Sequence, residues 1–204
     1  MTKNVATEID SAILSCKESK VIDIRGSLPF LPLAKTEADA RMMIERIAPK
    51  VDFTIKKIDW QSEYDLLCKW MCNPEKGLIL SGDSGRMKTV FATLILPVLY
   101  MQWHRFRIKT IKAWRLAEEL KNPNFMQHPV LIVDDVGEEP PANEFGVKYE
   151  PFSRLVDECE RLSKLLIITT NLNSKQLGDR YGNRPMDRLD LLCAPIVFEG
   201  KSFR

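Results

Sequence analysis

An α/β fold, a mostly parallel sheet covered by helices on both faces, is what this 204-residue sequence predicts, and three observations lead there. From about residue 50 onward, short apolar runs alternate with longer helical patterns, the signature of strands joined by crossover helices. A glycine-containing loop over 82–89 separates one such run from a long helix. The composition, 45% hydrophobic and 28% charged, is that of a globular chain long enough to bury a core.

Taken in order, residues 1–50 read differently from the rest. Ile9, Ile13 and Leu14 open a helical pattern that leads into the proline-punctuated SLPFLPLAK. A helix is expected over 36–47, N-capped by Thr36, with Glu37 in its first turn and a stop before Pro49. Residues 1–50 are therefore expected to form a short helical extension, packed on the main domain or serving as a partner-docking arm. The main domain spans 51–204. It begins with a helix near 62–72 and the strand GLILS, followed by the loop and a helix over 88–104. Strands are expected at 106–111, 130–133 and 165–170, with helices at 113–121 and 151–163 between them. Short helices near 174–179 and 185–192 precede a fifth strand at 196–198. No internal repeat or low-complexity tract is present.

The net charge of +2 argues neither for nor against a nucleic-acid partner. No run of about 18 apolar residues exists to span a membrane, and the opening MTKNVATEID lacks the basic-then-apolar layout of a secretory signal. The five cysteines, at 16, 68, 72, 159 and 193, are odd in number and lack zinc-ligand spacing, so free thiols in a reducing cytoplasm are expected.

The loop Gly82-Asp83-Ser84-Gly85-Arg86-Met87-Lys88-Thr89 fits G-x-x-x-x-G-K-[ST] except at one place. Glycines let successive backbone N–H groups curl around phosphate oxygens. Lysine brings a mobile positive charge to the outer phosphates, and the threonine hydroxyl ligates Mg²⁺. Residues 82–90, with Val90 closing the run, are thus the candidate ATP-binding segment. Met87 stands where the last glycine is expected. A phosphate nest needs φ > 0 there, which costs a non-glycine residue on the order of 1–2 kcal/mol. Tolerated strain with weakened ATP binding, a rearranged loop, and outright inactivation all remain open.

Val130-Leu-Ile-Val-Asp134-Asp135 ends a strand in two acids, as a Walker B strand does. Asp134, with Thr89, is placed to hold Mg²⁺, and Asp135 to polarise the attacking water. The end of the next apolar run, Thr169-Thr170-Asn171, offers Asn171 either as a polar sensor of the γ-phosphate or of the water, or as an ordinary strand-to-turn exit. Arg180, Arg184 and Arg188 follow in GDRYGNRPMDRLDLL, where an arginine can reach a neighbouring subunit's ATP site or simply pair with local acids. Trp103, Phe106 and Trp114 lie among His104, Arg105, Arg107, Lys109, Lys112 and Arg115. That group reads either as a single-strand-binding patch or as packing aromatics beside a solvated charged face.

Taken together, GLILSGDSGRMKT, VLIVDDVGEEP, LIITTNL, YGNRPMDRL and FEGKSFR resemble the DnaC/IstB family of AAA+ ATPases over roughly residues 55–204. The resemblance implies a P-loop NTPase αβα sandwich with a mostly parallel five-stranded sheet and no helical lid, which the end at Arg204 suits. It also implies homo-oligomers with shared ATP sites. Lys88 and Thr89 would then be Walker A residues, Asp134 and Asp135 Walker B, Asn171 sensor 1, and Arg184 or Arg188 the arginine finger, with Arg188 preferred. Helicase loading onto single-stranded DNA, through contact with a replicative helicase, is the implied function. A degenerate P-loop binding module and an IstB-like transposition helper are the alternatives. The span between Leu120 and Val130 is short, where many loaders insert further helical structure.

Overall fold

The computed structural model describes residues 31–104, 108–144 and 146–200, without the side chains of 103 and 104. The expected helix around Ile9, Ile13 and Leu14 lies outside these. Five strands form one parallel sheet: β1 (Gly77–Gly82), β2 (Ile108–Lys112), β3 (Val130–Val136), β6 (Leu165–Thr170) and β7 (Cys193–Phe198). Their spatial order is β2-β3-β6-β1-β7. The two intervening strands, β4 (Ala142–Glu144) and β5 (Val147–Tyr149), make a separate antiparallel hairpin that the sequence reading did not anticipate.

Alternation along the central strands explains the layers. Leu78, Leu80, Val130, Ile132, Leu165 and Ile167 face one apolar cluster. Ile79, Leu131, Val133, Leu166 and Ile168 face the other. A strand buried on both faces reads as an unbroken apolar run, and each of these three is one. The first cluster is closed by α1 (Glu37–Val51), α2 (Ser62–Cys72) and α3, a helix over 88–104. The second is closed by a short helix, α4 (Leu116–Glu119), and by α5 (Pro151–Arg161), α6 (Ser174–Tyr181) and α7 (Asn183–Leu192).

Helix α1 is capped as expected, with the Asp39 N–H donating to Thr36 Oγ1 at 3.1 Å. It does not stop before Pro49 but runs on to Val51. Ala40, Ile44 and Ala48 form a fully buried stripe at i, i+4 and i+8, and their burial carries the helix past the missing N–H of Pro49. The α1 stripe joins the same apolar cluster as Tyr64, Leu67 and Met71.

Helix α3 holds a π-turn, Phe91–Ile95, directly after the phosphate loop. Pro97 offers no N–H to the carbonyl four residues back, and the wider turn lies just ahead of it. The helix expected over 113–121 is reduced to a 3₁₀ turn, Ala113–Arg115, and the four residues of α4. Strand β7 is longer than expected and contains Pro195, which an edge strand tolerates. Among the described residues no helix is long and apolar enough to cross a membrane.

Candidate phosphate-binding site

Strand β1 delivers the loop at the carboxyl edge of the sheet, where ligands of open α/β folds sit. Gly82 has φ +126°, and a Cβ there would stand 2.3 Å from the Phe198 carbonyl oxygen on β7. Gly85 (φ 81°) and Met87 (φ 64°) are left-handed as well, so the loop keeps the alternating backbone of a nest. The φ > 0 demand expected at position 87 is present, and a methionine carries it. Its side chain is only 7% exposed and packs into the apolar cluster with Phe91 and Leu80, which offsets the backbone strain.

Lys88 is buried, and its ammonium donates to the carbonyls of Gly82 and Asp83, both at 2.7 Å, and to Asn171 Oδ1 at 3.1 Å. Burial pushes its pKa below the ordinary lysine value, against the pull of Asp135 and other nearby acids. Arg86, grouped with the phosphate binders on sequence, lines the cleft with its guanidinium engaged by protein partners. It donates to the Phe198 carbonyl at 2.6 Å and pairs with Asp83 at 2.8 Å, pinning the loop to β7.

The second half of the site sits on a break in strand β3. Adjacent side chains on a regular strand point to opposite faces, so Asp134 and Asp135 should diverge. The pairing of β3 with β6 shifts between Val133 and Val136, and Asp135 has φ 62°. This bulge turns both carboxylates toward one place, and aspartate tolerates the left-handed backbone better than most residues. Asp134, 1% exposed, accepts from Thr89 Oγ1 at 2.9 Å and from Thr169 Oγ1 at 2.5 Å. Thr169 Oγ1 also accepts from the Asp135 N–H at 2.9 Å, so one hydroxyl anchors the bulge to β6.

A cleft of about 500 Å³ joins these parts. It is lined by loop residues 84–90 together with Lys112, Asp135 and Asn171. Asp52, Thr54 and Ile55 close another side of it. Among the described residues no three His, Cys, Asp or Glu side chains gather to hold a metal. The donor set is one threonine hydroxyl with two carboxylates, all hard oxygens. That suits Mg²⁺, which keeps its waters and shares its shell with phosphates.

Three features escaped the sequence reading. Lys112, at the end of β2, lies 2.6 Å from Asp134 and 2.7 Å from Asp135. Burial lowers its pKa, but the hydrogen bonds to the two aspartates outweigh that and raise it overall. The 52–55 segment sits over the cleft without any motif. Glu139, 1% exposed, accepts from the Gly137 N–H at 2.9 Å and from the Tyr181 hydroxyl, tying the turn after β3 to α6. Arg180 donates to the Glu139 carbonyl in the same network.

The arginines of α7 do not join the cleft of their own chain. Arg188 pairs with Asp157 and with Glu160, both on α5. Arg184, nearby on the same surface, makes no ion pair or side-chain hydrogen bond among the described residues. The basic-aromatic group also resolves into pairs: Lys109 with Glu119 at 2.9 Å, Arg115 with Glu118 at 3.6 Å, and Lys112 with the aspartates. Trp114 stays exposed beneath the Arg115 guanidinium. The side chains at 103–107 lie outside the described residues.

The five parallel strands, the loop at their carboxyl edge and the flanking helices define a P-loop NTPase fold. Its arrangement is similar to that of the DnaC helicase loader, with a TM-score of 0.58 at 20% identity over 74% of this chain and 98% of that one. A provisionally assigned primosome component from Streptococcus pyogenes serotype M3 follows at 0.49 and 19%, covering 81% and 82% of the two chains. AMPPCP-bound DnaA from Aquifex aeolicus follows at 0.48 and 17%, covering 71% and 51%. No protein-family model matches the sequence, and no curated protein does.

Proposed function

We propose that this protein is an AAA+ ATPase of the helicase-loader type, binding ATP with Mg²⁺ in the cleft behind loop 82–89. One observation carries the reading: Lys88, Asn171 and the Thr89–Asp134 pair, drawn from the start of α3 and the ends of β3 and β6, converge on one nest-shaped loop. In that reading the loop N–H groups and Lys88 hold the phosphates, while Thr89 and Asp134 hold Mg²⁺. The cation, when bound, neutralises charge on the outer phosphates. Asp135 orients a water for attack, and Asn171 reads the γ-phosphate. Because Arg188 is tied to α5, Arg184 is the better arginine finger toward a neighbouring subunit in a homo-oligomer. The resemblance extends the proposal to a cytoplasmic protein that meets a replicative helicase and single-stranded DNA.

A second reading, a binding module with impaired turnover, is favoured by Met87, whose Cβ stands where a phosphate nest ordinarily has none. A titration of ATP-Mg²⁺ into the full chain tests the first reading. Saturable binding that drops by at least about a hundredfold in Lys88→Ala supports it. Equal binding by the variant rejects it. DNA affinity that falls with rising salt supports the loader assignment.

A further inference from the structure

Lys112 is paired with Asp134 directly across the β2–β3 ladder, so both side chains rise on the same face of the sheet. The bulge brings Asp135 to the same ammonium, which ends within 2.7 Å of both carboxylates. Two adjacent acids, one of them almost wholly buried, repel each other and require a cation. Lys88 does not supply it, since its three donors go to Gly82, Asp83 and Asn171. Among the described residues Lys112 is the one cation within ion-pair distance of either aspartate. It also lines the cleft and is 47% exposed, so its flexible stem can withdraw.

We infer that Lys112 is a built-in counter-cation of the Asp134–Asp135 pair, standing in for the divalent cation, so that nucleotide affinity at this site depends less on Mg²⁺ than the bare carboxylate pair would make it. The inference rests on the nucleotide reading. Its physical basis is charge bookkeeping at one spot. With Lys112 in place, its single positive charge offsets one of the two carboxylates, so an incoming triphosphate meets half the negative charge of the bare pair, even without a metal. With Lys112 removed, the same carboxylates repel the phosphates until Mg²⁺ arrives, and they attract that cation more strongly.

Affinity for a fluorescent ATP analogue, measured with Mg²⁺ and with EDTA, tests this in the wild-type chain and in Lys112→Met, Lys112→Gln and Lys112→Arg. In the two neutral variants the loss of affinity caused by EDTA grows about tenfold over the wild-type loss, while Lys112→Arg behaves as wild type. Mn²⁺ binding to the nucleotide-free protein, followed by electron paramagnetic resonance, tightens about tenfold in the same neutral variants. An EDTA penalty and a Mn²⁺ affinity that match wild type in the neutral variants overturn the inference alone. If the wild-type chain binds no analogue in either buffer, the nucleotide reading falls and this inference falls with it.

Discussion

The phosphate loop and the arginine surface of α7 carry the same kind of charge and treat it in opposite ways. Lys88 is 5% exposed and its donors are used up within its own chain, on the loop carbonyls and on the end of β6. Arg184 lies on the outside with no partner among the described residues, next to an Arg188 that is spoken for by Asp157 and Glu160. A buried charge must be satisfied internally or it unfolds the site. An exposed arginine beside an acid-lined depression has no such need, because water solvates it. The first region is satisfied within one copy; the second leaves Arg184 open to solvent beside a paired Arg188.

Breaking the buried side has the largest expected effect. Asp134→Ala strips the acceptor from the Thr89 and Thr169 hydroxyls and leaves Lys112 with one carboxylate. Unfolding monitored by urea titration should show a loss of about 3 kcal/mol. Met87→Gly is expected to split stability from binding. Losing a buried methionine costs about 2–5 kcal/mol, more than the roughly 1–2 kcal/mol of left-handed strain that glycine relieves. The variant should therefore unfold earlier while its ATP affinity rises several-fold; a gain in both would mean that Met87 contributes nothing to the core.

The arginine surface should respond weakly in one copy. Arg188→Ala lowers the thermal midpoint slightly, through its lost acid partners, and leaves nucleotide affinity unchanged. Arg184→Ala leaves the midpoint where it was, yet reduces ATP turnover at protein concentrations high enough for assembly. If the roles are reversed, with turnover lost only in Arg188→Ala, the finger is the paired arginine and its ion pairs open on assembly. The smallest effect concerns Cys68, whose thiol burial pushes up to about 12. Alkylation at neutral pH should be slow beside that of a free peptide thiol.

Much of this was legible in the chain because it is written locally. Continuous apolar runs marked β1, β3 and β6, and the spacing from Gly82 to Thr89 marked the nest and even the strain at Met87. What could not be read depends on register. Lys112 and Asp134 are neighbours only because β2 pairs with β3, and the bulge at Asp135 leaves no trace in an apolar run followed by two acids. Segment 52–55 reaches the cleft by its path over the fold, without periodicity of its own. The β4–β5 hairpin is short and largely exposed, so no buried face imposed a pattern on it. At Pro49, a local rule for stopping helices lost to the burial of Ala48.

The most direct measurement of the central claim is a crystal structure of the full chain with Mg²⁺ and a non-hydrolysable ATP analogue. The predicted result has the phosphates inside loop 82–89, the Lys88 ammonium moved from the Gly82 and Asp83 carbonyls onto them, and Met87 still left-handed with its side chain in the core. A loop that stays closed on Lys88, with the analogue bound elsewhere or not at all, would contradict it.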